Sequence, residues 1–226
     1  HLIDDAPVAV GRWRPRNYGD RYLGPIPARL AFARSSNTVA VRLNEWTGRD
    51  ASTAIARRLG LTGDAPPGPS IALGVWETSL MELTAAYAAV ANGGRAVFPY
   101  GIRRADDRAG GAVYVRRAEA AQAIEPRIAA QMRGLLRAVT LDGTGRAAAD
   151  LSPAAYGKTG TTQGGRDAWF VGFAGDWALG VWLGNDDGTP TGATGGFAAR
   201  LWAEIMRDLG DEPTRTALRG DAPARM

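Results

Sequence analysis

Two residue types that often carry catalysis are nearly missing from this sequence. It has no cysteine, and its one histidine is the first residue, His1. Without thiols there can be no disulfide bond, cysteine nucleophile or cysteine-ligated metal. A single terminal histidine cannot form a Ser-His-Asp triad or a histidine zinc site. We therefore expect no metal site and no thiol or imidazole chemistry.

Long apolar runs are missing as well. No stretch reaches the ~20 residues that span a bilayer, and no signal-peptide pattern opens the chain. Because the sequence begins at His1 instead of methionine, we expect a fragment or processed product, with any export signal or membrane anchor upstream. The apolar share of 45% and charged share of 22% are typical of a globular protein. We expect one domain over residues 1–210 and a flexible, polar tail over 211–226.

Lysine is the third scarce residue type. Of 27 basic residues, Lys158 is the single lysine and the others are arginine. The net charge of +4 and the pI near 9.8 would suit a nucleic-acid binder. The arginines, however, are scattered singly or in pairs without interleaved aromatic residues, so we expect no nucleic-acid partner. An ammonium differs from a guanidinium in shape, hydration and tunable pKa, so one lysine indicates a local requirement, with chance as the alternative.

Hydrophobic periodicity predicts a helical first half, followed by an antiparallel sheet packed on a helix. Helices are predicted at residues 27–34, 38–46, 49–59, 80–90 with Thr78 as N-cap, 125–139 and 197–209. Strands are predicted around a turn at 106–111 and at 154–162, 167–174 and 177–183. The short connections between the last three strands favour antiparallel neighbours. Residues 1–27, rich in proline, glycine and arginine, predict an irregular extended arm.

One motif surrounds the single lysine, in the segment Gly157-Lys158-Thr159-Gly160-Thr161-Thr162. A phosphate-binding loop would need its first glycine at Ser152 and would open a helix, whereas this segment is strand-like. A strand edge used for recognition fits better. Lys158 would sit beside a bound carboxylate, Thr159 and Thr162 would donate hydroxyl hydrogen bonds, and Gly160 would admit a peptide backbone. An ordinary strand end with a polar turn is the alternative.

A second motif is Ser35-Ser36-Asn37. Taken alone, it favours a helix-breaking turn. Ser35 could also pass a proton, and Asn37 offers a donor and an acceptor to a substrate amide. Together, the two motifs match the later members of a set found in serine acyl-transferases, namely Ser-x-x-Lys, Ser-Asp-Asn and Lys-Thr-Gly, in the same order.

From these motifs the chain resembles the transpeptidase domain of the bifunctional (class A) penicillin-binding proteins, to about residue 209. The segments that carry the resemblance are residues 2–7, 14–18, 33–37, 83–87, 91–94, 143–147, 157–162, 166–173 and 182–186. The resemblance implies an α+β fold of the β-lactamase/transpeptidase type. In that fold an antiparallel sheet packs with helices beside a helical subdomain, and the family's N-terminal strands and nucleophile helix have no counterpart in this sequence.

The resemblance implies acyl transfer at D-alanyl-D-alanine stem peptides of peptidoglycan, without a cofactor. β-Lactams would bind the complete protein, which we expect to be membrane-anchored at the periplasmic or extracytoplasmic face of the inner membrane. The implied catalytic residues are Ser35 as proton relay, Asn37 as orienter of the donor amide and Lys158 as carboxylate ligand. The implied substrate-binding residues are Thr159 and Thr162 at the carboxylate, Gly160, and Thr161 through an oxyanion-hole N–H.

The family's nucleophile motif, Ser-x-x-Lys, is absent, because Ala155 stands three residues before the single lysine. We therefore expect that the chain alone neither acylates with penicillin nor cross-links glycan strands. Without the missing strands, a sheet edge and the apolar faces around Phe170 and Trp182 are expected to be uncovered, which predicts poor solubility or partial order.

Other functions stay open from the sequence. A D-alanyl-D-alanine carboxypeptidase or a β-lactamase-like hydrolase could share the fold and the motifs. A non-catalytic module that recognises D-alanyl-D-alanine would keep the carboxylate site without a nucleophile. A nucleotide or nucleic-acid binder rests only on Gly-Lys-Thr and the basic pI.

Overall fold

The structure is a computed structural model, which describes residues 1–117 and 120–210. The elements are β1 (Leu2–Asp5), β2 (Gly24–Pro27), α1 (Ala28–Ala33), α2 (Asn37–Thr47), α3 (Arg49–Arg58), α4 (Leu80–Ala91), β3 (Arg104–Asp106), β4 (Ala112–Val115), α5 (Pro126–Asp142), β5 (Tyr156–Thr161), β6 (Ala168–Ala174), β7 (Trp177–Leu183) and α6 (Gly195–Gly210). The predicted tail at 211–226 lies outside the described residues.

Over the described residues, the main sheet has three antiparallel strands in the order β5-β6-β7. Side chains of β6 alternate between its two faces. Phe170 packs in a core cluster with α6, whereas Phe173 packs in a second cluster with residues of α4 and α5. The sheet is therefore a central layer with α6 on one face and α4 and α5 on the other.

Glycines allow these layers to approach closely. Gly157 and Gly172 are opposite each other in the β5–β6 register, and a Cβ on Gly157 would lie 2.6 Å from the Phe170 ring. A Cβ on Gly180 of β7 would collide with Thr84 and Leu80 of α4. Only a residue without a side chain fits at these contacts, since overpacking displaces neighbouring groups.

The face of the sheet at Phe170 is covered, so the prediction that it would be open is wrong. Phe170 and Trp202 of α6 are both fully buried, with ring centroids 4.9 Å apart. Trp202 also donates from Nε1 to the carbonyl oxygen of Leu179 at 2.9 Å. Trp182 is half-buried and donates from Nε1 to Asp167 Oδ1 at 2.9 Å. Within the described residues, the outer edge of β7 has no partner strand, as expected.

Two other local predictions are corrected. Residues 1–27 are not an irregular arm throughout, because β1 and β2 pair in antiparallel register, Leu2 opposite Pro27. Short strands that contain two prolines and a glycine give almost no strand signal. The N-cap of α4 is Ser79 instead of Thr78, because Ser79 and Glu82 form a reciprocal capping box. The remaining predicted helices and strands are confirmed within three residues at each end.

Candidate active site

The two motifs meet where β5 passes the turn between α1 and α2. Lys158 Nζ donates a hydrogen bond to Ser35 Oγ, across 123 residues of sequence. It also donates to the carbonyl oxygen of Thr159 at 3.1 Å. The antiparallel register of β5 with β6 fixes the position of Lys158 on the strand, opposite Val171. The fold thus brings together two groups that the sequence could associate only by motif.

The environment of Lys158 makes its charged form less stable than it would be in water. The side chain is half-buried, and this burial lowers the pKa of Lys158 from 10.5 to about 8. No ion pair between Lys158 and a carboxylate is formed in the ranges 1–117 and 120–210. A ligand carboxylate at this position would supply the missing counter-charge and would raise the pKa of Lys158 again.

Ser35 has a backbone conformation that is uncommon for a residue with a side chain. Its φ is 56°, in the left-handed region, which costs roughly 1–2 kcal/mol. The conformation closes α1, because the Ser35 and Ser36 N–H groups donate to Phe32 and Ala31 at 3.1 and 2.9 Å. Ser35 is exposed and faces Lys158, whereas Ser36 is buried. Backbone strain of this kind is concentrated at functional sites.

Asn37 is the first residue of α2 instead of the end of a helix-breaking turn. Its Nδ2 donates to the carbonyl oxygen of Arg16 at 2.7 Å. That bond fixes the amide plane, so that the acceptor oxygen of the side chain has a defined direction. The arrangement is compatible with the predicted role of orienting a ligand amide, which stays a prediction.

Thr159 contacts a residue for which the sequence predicted no role. Its hydroxyl is hydrogen-bonded to the hydroxyl of Thr144, in the loop after α5. This loop lies against α1, since Thr144 N–H donates to the Ala33 carbonyl oxygen at 3.3 Å and a Cβ on Gly143 would collide with Ala33. The flanking glycines in Gly143-Thr144-Gly145 were the available signal for a close approach of this backbone.

The strand end after Thr159 is held from both sides. Gly160 packs against β6, where a Cβ would lie 3.2 Å from Trp169 Cβ. Thr161 Oγ1 accepts a hydrogen bond from the Gly195 N–H at 3.1 Å, so the positive N-terminus of α6 adjoins β5. Thr162 Oγ1 donates to Asp167 Oδ2 at 3.0 Å and accepts from the Asp167 N–H at 2.8 Å. The predicted use of Thr162 by a ligand would require its hydroxyl to leave Asp167.

This arrangement can bind a carboxylate and exchange a proton. The cation of Lys158 lies next to the hydroxyl of Ser35, and the following residue of β5, Thr159, presents its hydroxyl to Thr144. Charge-assisted hydrogen bonds of this kind are about twice as strong as neutral ones. In the described parts of the chain, no group of three or more His, Cys, Asp or Glu side chains is placed to hold a metal ion. No helix there is long and apolar enough to cross a membrane.

The sequence matches the Penicillin binding protein transpeptidase domain family over residues 2–207. The chain belongs to this family. Penicillin-binding protein 1B of Vibrio cholerae is 33% identical over 214 residues, which are 91% of this chain and 28% of the relative. Penicillin-binding protein 1A of Neisseria meningitidis is 35% identical over 223 residues, with the same two coverages. The chain therefore spans little more than a quarter of the length of these curated relatives.

Solved structures of penicillin-binding proteins confirm the predicted α+β fold. The crystal structure of penicillin-binding protein 1A from Haemophilus influenzae superposes with a TM-score of 0.83 at 23% identity, covering 94% of this chain and 39% of that one. The PonA1 protein of Mycobacterium tuberculosis, in complex with penicillin V, gives a TM-score of 0.78 at 22% identity, covering 91% and 62%. The family match and the relatives, penicillin-binding proteins 1A and 1B, confirm the resemblance to the class A penicillin-binding proteins.

Proposed function

We propose that this chain forms the carboxylate-recognition part of the active site of a peptidoglycan D,D-transpeptidase, an enzyme of serine acyl transfer at D-alanyl-D-alanine. The observation that carries the proposal is the contact of Lys158, on β5, with Ser35, in the turn between α1 and α2. Membership of the transpeptidase family supports the reaction class. The similarity to penicillin-binding proteins 1A and 1B supports peptidoglycan stem peptides as the substrate.

Each residue has a defined part in the proposed site. The terminal carboxylate of the donor peptide accepts hydrogen bonds from Lys158 and Thr159, and its negative charge offsets the desolvation of Lys158. Gly160 leaves space for the peptide backbone along β5, and the Thr161 N–H stabilises the oxyanion. Ser35 passes a proton between Lys158 and the leaving amine, while Asn37 orients the donor amide.

The attacking group belongs to the complete protein in this proposal. The 226 residues contain no Ser-x-x-Lys motif, so the covalent step needs a serine from elsewhere in that protein. The complete protein would also bind β-lactams, which a penicillin V complex of PonA1 supports. We place it at the extracytoplasmic face of the inner membrane, held by a membrane anchor, by analogy with the family.

The single lysine makes the recognition step directly measurable. Lysine labelled with ¹³C at Cε gives one side-chain NMR signal from the chain, that of Lys158. An Nα-acylated peptide that ends in D-alanyl-D-alanine is expected to shift this signal in a saturable way. Because the attacking half of the site is absent, we expect a weak dissociation constant, about 1 mM.

Four comparisons decide whether the response is specific. The same peptide with an amidated C-terminus lacks the carboxylate, and the L,L isomer lacks the stereochemistry, so both should leave the signal unchanged. Thr159→Val removes one donor to a charged group and should weaken binding about tenfold. Thr47→Val, at the far end of α2, should not weaken it. No shift with the D,D peptide, or an equal shift with the amide, would rule out the proposed site.

A further inference from the structure

The neighbouring serines of the Ser35-Ser36-Asn37 motif have opposite surroundings. Ser35 is exposed beside Lys158, whereas Ser36 is buried and donates from Oγ to Asp5 Oδ1 at 2.6 Å. Asp5 is itself only 2% exposed. A buried carboxylate is costly unless it is fully hydrogen-bonded, so the surroundings of Asp5 determine whether it stabilises this turn.

Four donors surround the Asp5 carboxylate. Besides Ser36, its Oδ1 accepts from Thr38 Oγ1 and Asn17 Nδ2, each at 2.7 Å. Its Oδ2 accepts from the Leu23 N–H at 3.0 Å. Burial acts to raise the pKa of Asp5, but the hydrogen bonds from Ser36, Asn17, Thr38 and Leu23 outweigh it and keep this pKa below 3.8. Asp5 is therefore an anion at neutral pH.

The same cluster fixes the first turn of α2. Ser36 Oγ accepts from the Val39 N–H at 3.1 Å and caps the helix, while Asn17 Oδ1 accepts from the Thr38 N–H at 3.1 Å. Through these hydrogen bonds the Asp5 carboxylate connects the end of β1 to the segment before β2 and to the start of α2. Any rotation of Ser36 out of this cluster would break its bonds to Asp5 and Val39 together.

A fixed Ser36 determines where Ser35 can lie. With Ser36 held inward, the preceding residue keeps its left-handed backbone and presents its hydroxyl to Lys158. We propose that Asp5 is a positioning residue, which holds Ser35 against Lys158 by anchoring Ser36. The catalytic importance of this role rests on the proposed function, but the contact between Ser35 and Lys158 does not.

Asp5→Asn in the 226-residue chain tests the role, because asparagine keeps the shape and loses the negative charge. We expect the Lys158 ¹³Cε signal to move, since Ser35 leaves the lysine. The pKa of Lys158 should rise by about half a pH unit or more as the side chain gains water. The affinity for the D-alanyl-D-alanine peptide should fall about fivefold, by loss of roughly one hydrogen bond.

Matched variants separate positioning from loss of stability. Asn44 is another buried polar residue of α2, 6% exposed, and its Oδ1 accepts from Ser52 Oγ at 2.7 Å. Asn44→Ala should destabilise the chain without moving the Lys158 signal. Ser36→Ala should move the Lys158 signal as Asp5→Asn does. Ser36→Thr keeps the hydroxyl and should leave the signal at its native position. These two variants also provide the test if Asp5→Asn does not fold.

The outcomes distinguish this inference from the proposed function. If the Lys158 signal responds equally to Asp5→Asn and Asn44→Ala, or to neither, Asp5 has only a structural role and the inference fails. If Asp5→Asn moves the Lys158 signal but the D,D peptide does not shift it in the native chain, the positioning role stands and the proposed function fails.

Discussion

Lys158 is a cation that has lost part of its hydration, and no carboxylate of the described residues forms an ion pair with it. Burial places the pKa of Lys158 at about 8 in the ligand-free chain. A bound carboxylate favours the charged form, so the pKa of Lys158 must be higher in the complex than in the free chain. Binding the carboxylate and taking up a proton are therefore linked at this residue, which makes the affinity depend on pH.

The sign of this dependence follows from the two protonation states. Below about pH 8 the lysine is already charged, and the affinity for the D-alanyl-D-alanine peptide should be constant. Above about pH 8 each complex must first take up a proton, so the dissociation constant should rise by up to tenfold per pH unit. NMR titrations at pH 7 and pH 9 measure the difference. Equal affinities at both pH values would show that the ammonium does not hold the carboxylate.

The start of α4 shows how local spacing determines an element boundary. Ser79 Oγ accepts from the Glu82 N–H at 3.1 Å, and Glu82 Oε2 accepts from the Ser79 N–H at 3.0 Å. The Thr62 and Thr78 hydroxyls donate to the Glu82 carboxylate as well. Together, the hydrogen bonds from Thr62, the Ser79 N–H and Thr78 lower the pKa of Glu82 to about 2. The contact with Thr62 connects the loop after α3 to the helix.

Removal of the cap tests this boundary. Ser79→Ala should lower the free energy of unfolding by about 1 kcal/mol, as typical for a lost N-cap. Thr78→Ala leaves the cap intact and should lower the free energy of unfolding by less than Ser79→Ala does. Urea denaturation at pH 7 compares the two variants, and an equal or larger loss for Thr78→Ala would place the N-cap at Thr78 after all. In acid, the contribution of Glu82 should be present above about pH 4.5 and lost as the pH falls towards 2.

The elements that the sequence could predict are those with many regular side chains. Periodicity over ten or more residues was enough for α5 and α6, alternation was enough for β6, and a short apolar run was enough for β7. It was not enough for β1 and β2, whose pairing depends on residues about 20 positions apart and whose sequence contains prolines. The motifs identified Ser35 and Lys158, but the hydrogen bonds of Thr144 and Asp5 are tertiary contacts, and the glycines that flank Thr144 are the one local signal for them.

At the scale of the molecule, two hydrophobic cores lie on opposite faces of the sheet β5-β6-β7. Phe170 and Trp202 form the centre of one, and Phe173, stacked on Tyr156 with ring centroids 5.1 Å apart, lies in the other. Lys158 is on β5, between these layers. Because β6 contributes to both cores, opening one face should weaken the other. We therefore expect one cooperative unit instead of the partial order that an uncovered face at Phe170 would have produced.

Coincident unfolding transitions test whether the described domain is one unit. Far-UV circular dichroism reports the helices and the Lys158 ¹³Cε signal reports the site, and in urea both should lose their native values at the same midpoint. Trp202→Ala should lower both midpoints together, since truncation of a buried tryptophan costs about 3–5 kcal/mol out of a typical ~5–15. Trp46→Ala, at a position 68% exposed, is the matched control and should change stability by less than about 0.5 kcal/mol. Loss of the native Lys158 signal at lower urea than the helix signal would mean that the site melts separately from the helices.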